Sequence, residues 1–481
     1  MDTSLKFEIN TKDSAIGRSF SHLDKASLIR DREQLIRNGQ SGADRRARRL
    51  CLDALEKALA AVNPITSLRR HLRLSGSRLS VDGFSTPMPK RIRVLAVGKA
   101  STQMLAGALA ILGKNVFSGI LVAPKHATIT GLDERITAFR TGHPIPDEAG
   151  VRASKHVLES IARMDHDDLL LCLVSGGASA MLPAPAVPLG DLGVITQRLI
   201  RSSASIQEVN TVRRHLSDLK GGRLAEKCRA GAVISLIISD VPGNSLADIG
   251  SGLTAPDATT FQDAINVLRE FDLWDSAPRS VRRHLARGSL GKISDTPKPG
   301  NSVFRRVRNV IIADNGTACK AAKRALEARH TDTTILTSSL SADARSLGRL
   351  IGSVARDNEA FNRALGKSRA LVVGGEVTVD VEGVGRGGRN QEVALAALGG
   401  IAGLKGVAVA ALGTDGIDGN SPAAGAIIDG QSAGRAIQLG LRAREFMASN
   451  DSYTFFKKLG DSIVTGPTGT NVSDVYLLIR A

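Results

Sequence analysis

Apolar runs that stop at glycine and lead into helix-like stretches recur along the chain, as in RIRVLAVG (91–98), LVVGGE (371–376) and VAVAALGTDG (407–416). DLLLCLV (168–174) runs into Ser175-Gly176-Gly177, and AVISLIISD (232–240) ends at Asp240. Leu371, Val372 and Val373 show no alternation, the pattern of a strand covered on both faces. Strands alternating with helices mean α/β layering, and open α/β sheets bind ligands at the loops that follow their strands. The expected fold class is α/β, with function in those loops.

At 481 residues the chain exceeds one ordinary core. SLGKISDTPKPGNSV (289–303) has the Gly, Pro, Ser and Lys content of a linker and puts a boundary near residue 300. The division expected is an extension over 1–44, polar and at most loosely docked, then units over 45–300 and 301–481. A cleft between the two units is the simplest way for both to supply ligand-binding loops. In the first unit a helix with Leu52, Leu55 and Leu59 on one face ends at Asn63-Pro64, and FRTGHPIPD (139–147) reads as a loop. In the second, a long helix is expected around 342–364.

Net charge is +17, but the arginine pairs are scattered and aromatic residues make up 3%. That excludes a stacking platform for bases and favours small anions over nucleic acid. Residues 169–190 carry no charge, yet Gly176, Gly177, Pro183, Pro185 and Pro188 interrupt them, so no membrane span is expected. Cys51, Cys172, Cys228 and Cys319 lack metal or disulfide spacing, which fits a reducing cytoplasm. The N-terminus has no apolar leader core and mixes acids with bases.

Several turns carry candidate chemistry. Gly374, Gly375 and Glu376 close one strand, and Gly383-Val-Gly385-Arg386-Gly387-Gly388-Arg389-Asn390 opens a helix. Such a turn suits phosphate, since glycine admits close approach and a helix N-terminus favours an anion. A G-x-G-x-x-G match alone is weak, and a plain hairpin turn stays open. Arg389 opposes the helix dipole there, which is easier to understand with an anion beside it.

Lys99 follows Gly98 at the first strand's end, although Arg93 and Ala100 rule out a Walker P-loop. Ser175, Gly176, Gly177 and Ser179 have the look of a phosphate or carboxylate cradle, and no G-x-S-x-G elbow is present. His143, between Gly142 and Pro144, reads equally as a turn residue or a substrate contact. Asp240 is placed to hold a metal or cap a loop; the EF-hand spacing fails after Thr414, and Asp415 is preferred to Asp418.

VGKAS (97–101), TGHPIPD (141–147), LVSGGASAMLPAP (173–185), NTVRRHLSDLKGGRLA (210–225), SDVPGNSLADIGSG (239–252), GGEVTV (374–379), GRGGRNQE (385–392), LGTDGIDG (412–419) and GPTGTNVSD (466–474) together resemble the glycerate 2-kinase family. The resemblance covers about residues 45–481 in order. It implies a Rossmann-like N-terminal domain, a C-terminal MOFRL domain, and phosphorylation of D-glycerate at its 2-hydroxyl by ATP and Mg2+. Lys99 and Arg389 match its important lysine and arginine. Leu253, Asn420-Ser421 and the N-terminal extension depart from the family pattern.

On this reading Lys99 and Arg389 stabilise the transferring phosphoryl group and the substrate carboxylate. Asp240 or Asp415 binds Mg2+ or takes the hydroxyl proton. Ser175, Gly176, Gly177, Ser179, Gly374, Gly375, Glu376, Gly385, Gly387, Gly388 and Asn390 contact substrate or nucleotide. A homodimer is a family-level expectation. The rivals are an NAD(P)H-dependent hydroxypyruvate reductase, a name also given to family members, and a non-catalytic binder of anions or nucleic acid. The reductase lacks an acid about 20 residues past its glycine turn.

Overall fold

The structure, a computed structural model, describes residues 27–357 and 369–481. Six parallel strands form one sheet in the spatial order Ile136–Thr141, Val116–Pro124, Arg91–Val97, Asp168–Val174, Ala232–Ile238, Val307–Ala313. Counted along the chain this is the doubly wound order, which reverses between Arg91–Val97 and Asp168–Val174. Leu95 and Val97 join the core on one face of this sheet, and Ile92, Val94 and Ala96 the core on the other. The uncharged runs in the sequence are therefore strands buried on both sides.

The second sheet is mixed, in the order Thr333–Asp343, Ala370–Thr378, Asp474–Arg480, Val407–Gly413, Gly425–Asp429, Ser462–Ile463. Only its first pair is parallel, and Asp474–Arg480 lies between two earlier strands. The helices Ala344–Arg356 and Arg389–Ile401 pack against each other beside it.

Three expectations are corrected. Ile136–Thr141 is an edge strand running into the supposed loop; half its positions are exposed, so it lacks an apolar signature. The helix expected over 342–364 spans Ala344–Arg356, and 358–364 lie outside the described residues. A split at residue 300 does not separate the sheets, because Val307–Ala313 is the sixth strand of the first. The linker-like stretch before it is pinned to that sheet's unit: Thr296 donates to Asp257 (3.0 Å), and the Ser294 carbonyl accepts from Arg223 (3.0 Å).

Nor are the residues just before 45 loosely held. Residues 1–26 of the expected extension lie outside the described residues, but Arg32–Arg37 and Gly42–Ala61 are helices on the second sheet's unit. Ser41 and Asp44 form a capping box at the start of Gly42–Ala61. Arg48, wholly buried, donates to both carboxylate oxygens of Asp461 (2.9 and 3.0 Å), to the Leu35 carbonyl (2.9 Å) and to Asp429. One apolar core runs from this helix into both sheets.

Among the described residues no helix is long and apolar enough to cross a membrane.

Candidate active site

Lys99 sits where the order of the first sheet reverses. Gly98 takes φ 118°, and a Cβ there would collide with the Ser175 carbonyl, so only glycine lets the two loops touch. The Lys99 N–H donates to the Gly176 carbonyl (2.8 Å), and Ser175 Oγ accepts from the Ala100 N–H (3.0 Å). Among the described residues the Lys99 side chain makes no hydrogen bond or ion pair, which leaves its ammonium for a ligand.

A cleft of about 650 Å³ opens there between the sheets. The first sheet contributes Lys99 and Asp240; the second contributes Glu376, Arg389, Asp415 and Asn471. Gly385, Gly387 and Gly388 line the same cleft. Ser175, Gly176, Gly177, Ser179, Gly374, Gly375 and Asn390 are not in its lining. Ser175 is buried behind the Lys99 turn, while Gly176 lies so close to Asp240 that any Cβ would strike the carboxylate. Gly375 borders a smaller polar cavity of about 150 Å³ that shares Asp240 and Ser473 with the cleft.

Asp240 caps the carboxyl end of its strand. Asn471 Nδ2 donates to its Oδ2 (2.9 Å), and Ser473 Oγ to its carbonyl (2.9 Å). Burial first, and then the charges of Glu376 and Asp415, push its carboxyl up to about 6 against the pull of Lys99.

Arg389 is held from two sides. Its Nε pairs with Asp474 Oδ2 (2.7 Å), its Nη2 with Oδ1 (3.2 Å), and its Nη1 with Glu376. Burial opposes its charge, but Asp474 and Glu376 outweigh that and raise its pKa above the ordinary value. The anion expected beside Arg389 is thus partly the protein's own.

The helix that Arg389 opens also differs from expectation. Asp418, wholly buried, accepts from the N–H groups of Asn390 (3.0 Å) and Gln391 (2.8 Å), and from both of their side-chain amides. Two of the backbone donors that would greet a phosphate are spent on this carboxylate. The glycine turn is similarly engaged, since Gly385 N–H donates to the Ser449 carbonyl and Gly387 N–H to Asn420 Oδ1. Its glycines are needed for packing: a Cβ on Gly388 would strike Asp418, and one on Gly387 would strike Ser452. Asn390 is a buried brace, its Nδ2 reaching Asp418 and Asp474 (3.2 and 3.1 Å).

Sequence reasoning passed over Asp474, Asn471 and Ser473, although all three lie in GPTGTNVSD. An acid opening a buried strand was the available signal. His143, whose ring lies against Gly177, falls to about 4 through burial first and then through Lys99 and His126, so it is neutral near pH 7.

Asp240, Glu376 and Asp415 give the cleft hard oxygen donors of the kind Mg2+ prefers. Among the described residues no three such groups come close enough to hold a metal unaided. The donor set suits an ion that takes one or two carboxylates and fills its remaining positions from phosphate and water.

A doubly wound sheet facing a mixed sheet, across a cleft that sets cations among carboxylates, defines an α/β enzyme that handles small anions. Residues 50–286 match the domain of unknown function DUF4147, and residues 369–474 match the MOFRL family. The chain is 37% identical to glycerate 2-kinase of Pyrococcus horikoshii, over 90% of this chain and 97% of that one. It is 36% identical to D-glycerate 2-kinase of Thermotoga maritima (89% and 97%) and 33% identical to human glycerate kinase (88% and 91%). The crystal structure of the Thermotoga maritima glycerate kinase superposes with a TM-score of 0.78 at 35% identity, covering 90% of this chain and 99% of that one. The chain belongs to the glycerate kinase family.

Proposed function

We propose that the protein transfers the γ-phosphoryl group of ATP to the 2-hydroxyl of D-glycerate, giving 2-phosphoglycerate and ADP. The observation that carries this reading is the meeting of Lys99, Asp240 and Arg389, from two different sheets, in one cleft. Phosphoryl transfer needs charge neutralisation and positioning more than covalent chemistry, and these residues supply both.

Lys99, whose side chain has no hydrogen bond or ion pair among the described residues, takes the transferring group or the glycerate carboxylate. Arg389, fixed by Asp474 and Glu376, presents a preorganised positive wall to the other. Asp240, ionised above about pH 6, accepts the proton of the 2-hydroxyl as the oxygen attacks phosphorus. Asp415 would hold Mg2+, which when bound neutralises charge on the phosphates. Gly385, Gly387 and Gly388 shape the nucleotide-facing wall, while Ser175, Gly176 and Gly177 hold the Lys99 turn in place. A dinucleotide-binding reading of the glycine turn is disfavoured by Asp418, which already occupies the helix N-terminus.

The test is a coupled assay with D-glycerate and Mg-ATP that detects 2-phosphoglycerate through enolase without added mutase, beside an NAD(P)H assay with hydroxypyruvate. An enolase signal supports the reading. ADP without that signal moves the phosphorylated hydroxyl or the acceptor, and NAD(P)H oxidation alone overturns it.

A further inference from the structure

Arg213 and Lys220 line a small pocket of about 20 Å³ beside Ser179, Ala180, Pro183 and Thr196, none of which lines the cleft. Lys220 is 3% exposed, and among the described residues its Nζ donates to the carbonyls of Leu182 (2.8 Å) and Pro183 (3.2 Å). Arg213, on the helix Ile206–His215, makes no side-chain hydrogen bond or ion pair among the described residues. Nearby carboxylates are committed elsewhere: Asp248 and Asp257 to Arg214, Asp295 to His215, and Asp218 to Lys227.

Buried Lys220 and half-buried Arg213 line one pocket that has no carboxylate among the described lining residues, and an anion there would offset their mutual repulsion. Burial first, then the charge of Arg213, pulls the Lys220 ammonium down to about 7, and burial lowers Arg213 as well. The Thr196 hydroxyl adds a donor, while Ser179 Oγ is paired with Ser251 Oγ. A space of about 20 Å³ admits one small group rather than a nucleotide.

We propose that Arg213 and Lys220 form a second anion site, outside the cleft, that takes a single carboxylate or phosphoryl group. Ser179 and Ala180 follow Gly177 by way of Ala178, in the same turn whose Gly176 abuts Asp240, so the wall of this pocket is continuous with the catalytic loop.

The test needs neither nucleotide nor turnover, and so stands apart from the kinase reading. Thermal melting of the full chain is followed with inorganic phosphate or acetate, against chloride at equal ionic strength, in wild type, Lys99→Ala, Arg213→Gln and Lys220→Met. A saturable rise of about 2 °C or more is expected in wild type and Lys99→Ala, and its loss in Arg213→Gln and Lys220→Met. Response to phosphate alone assigns a phosphoryl ligand, and response to acetate a carboxylate. In chloride, Arg213→Gln should melt at or above wild type, since it removes an uncompensated charge. An equal rise with chloride, a rise that survives both pocket substitutions, or one that disappears in Lys99→Ala would overturn the proposal.

Discussion

Asn471 Nδ2 lies 2.9 Å from Asp240 Oδ2, so a loop of the second sheet's unit holds the carboxylate that ends a strand of the first. Asp240 takes its orientation from the opposite wall of the cleft. Asn471→Ala should lower kcat at least about ten-fold with a smaller effect on KM, because a misplaced base slows the transfer step more than binding. It should also move the acidic limb of the pH–rate profile upward, as the lost hydrogen bond favours the ionised form.

Asp240 gives a prediction whose sign is fixed by its burial. Its folded pKa of about 6 exceeds that of an unfolded aspartate, so the fold prefers it protonated. The penalty for ionising it begins above the unfolded value and is complete once pH exceeds about 6. Asp240→Asn should therefore raise the melting temperature more at pH 8 than at pH 4, while lowering turnover by about 10²-fold or more. Equal melting changes at the two pH values would refute the assignment.

Lys99 and Arg389 should separate in their effects on stability. Among the described residues Lys99→Ala removes no hydrogen bond or ion pair but does remove the pull of its charge on Asp240, so it should change denaturant unfolding much less than Arg389→Ala while lowering kcat/KM by about 10²-fold or more. Arg389→Ala strands Asp474 and Glu376 and should cost about 2–4 kcal/mol of stability in addition to activity. Chemical denaturation beside steady-state kinetics distinguishes the two.

Arg48 is not among the residues that line the cleft and should matter only to the fold. Arg48→Met leaves Asp429 and Asp461 buried without their main cation, at an expected cost of about 3–5 kcal/mol. Retention of wild-type stability in urea would show that Arg435, which also pairs with Asp461, suffices.

The first sheet was legible because strands buried on both faces need charge-free, largely apolar runs, and residues 94–97, 169–174 and 232–238 supply them. Ile136–Thr141 was not, since an edge strand carries no such run. Lys99, Asp240 and Arg389 could be picked out as charges at strand or helix ends. What Asp418 and Asp474 do could not, because a carboxylate that caps a helix more than twenty positions earlier in the chain, or clamps an arginine across strands, leaves no local pattern. The stretch 289–303 looked like a linker because composition does not reveal which carbonyls serve distant arginines.

The central position of Asp474–Arg480 in the second sheet bears on synthesis at the ribosome. A nascent chain that has not yet released this strand has nothing to join Ala370–Thr378 to Val407–Gly413, and it lacks Asp474 to clamp Arg389. The helix Gly42–Ala61, made early, must likewise wait for Asp429 and Asp461 before the charge of Arg48 is matched. Translation order and assembly order are therefore opposed, and a polypeptide stalled before residue 474 has neither a closed core nor a working cleft.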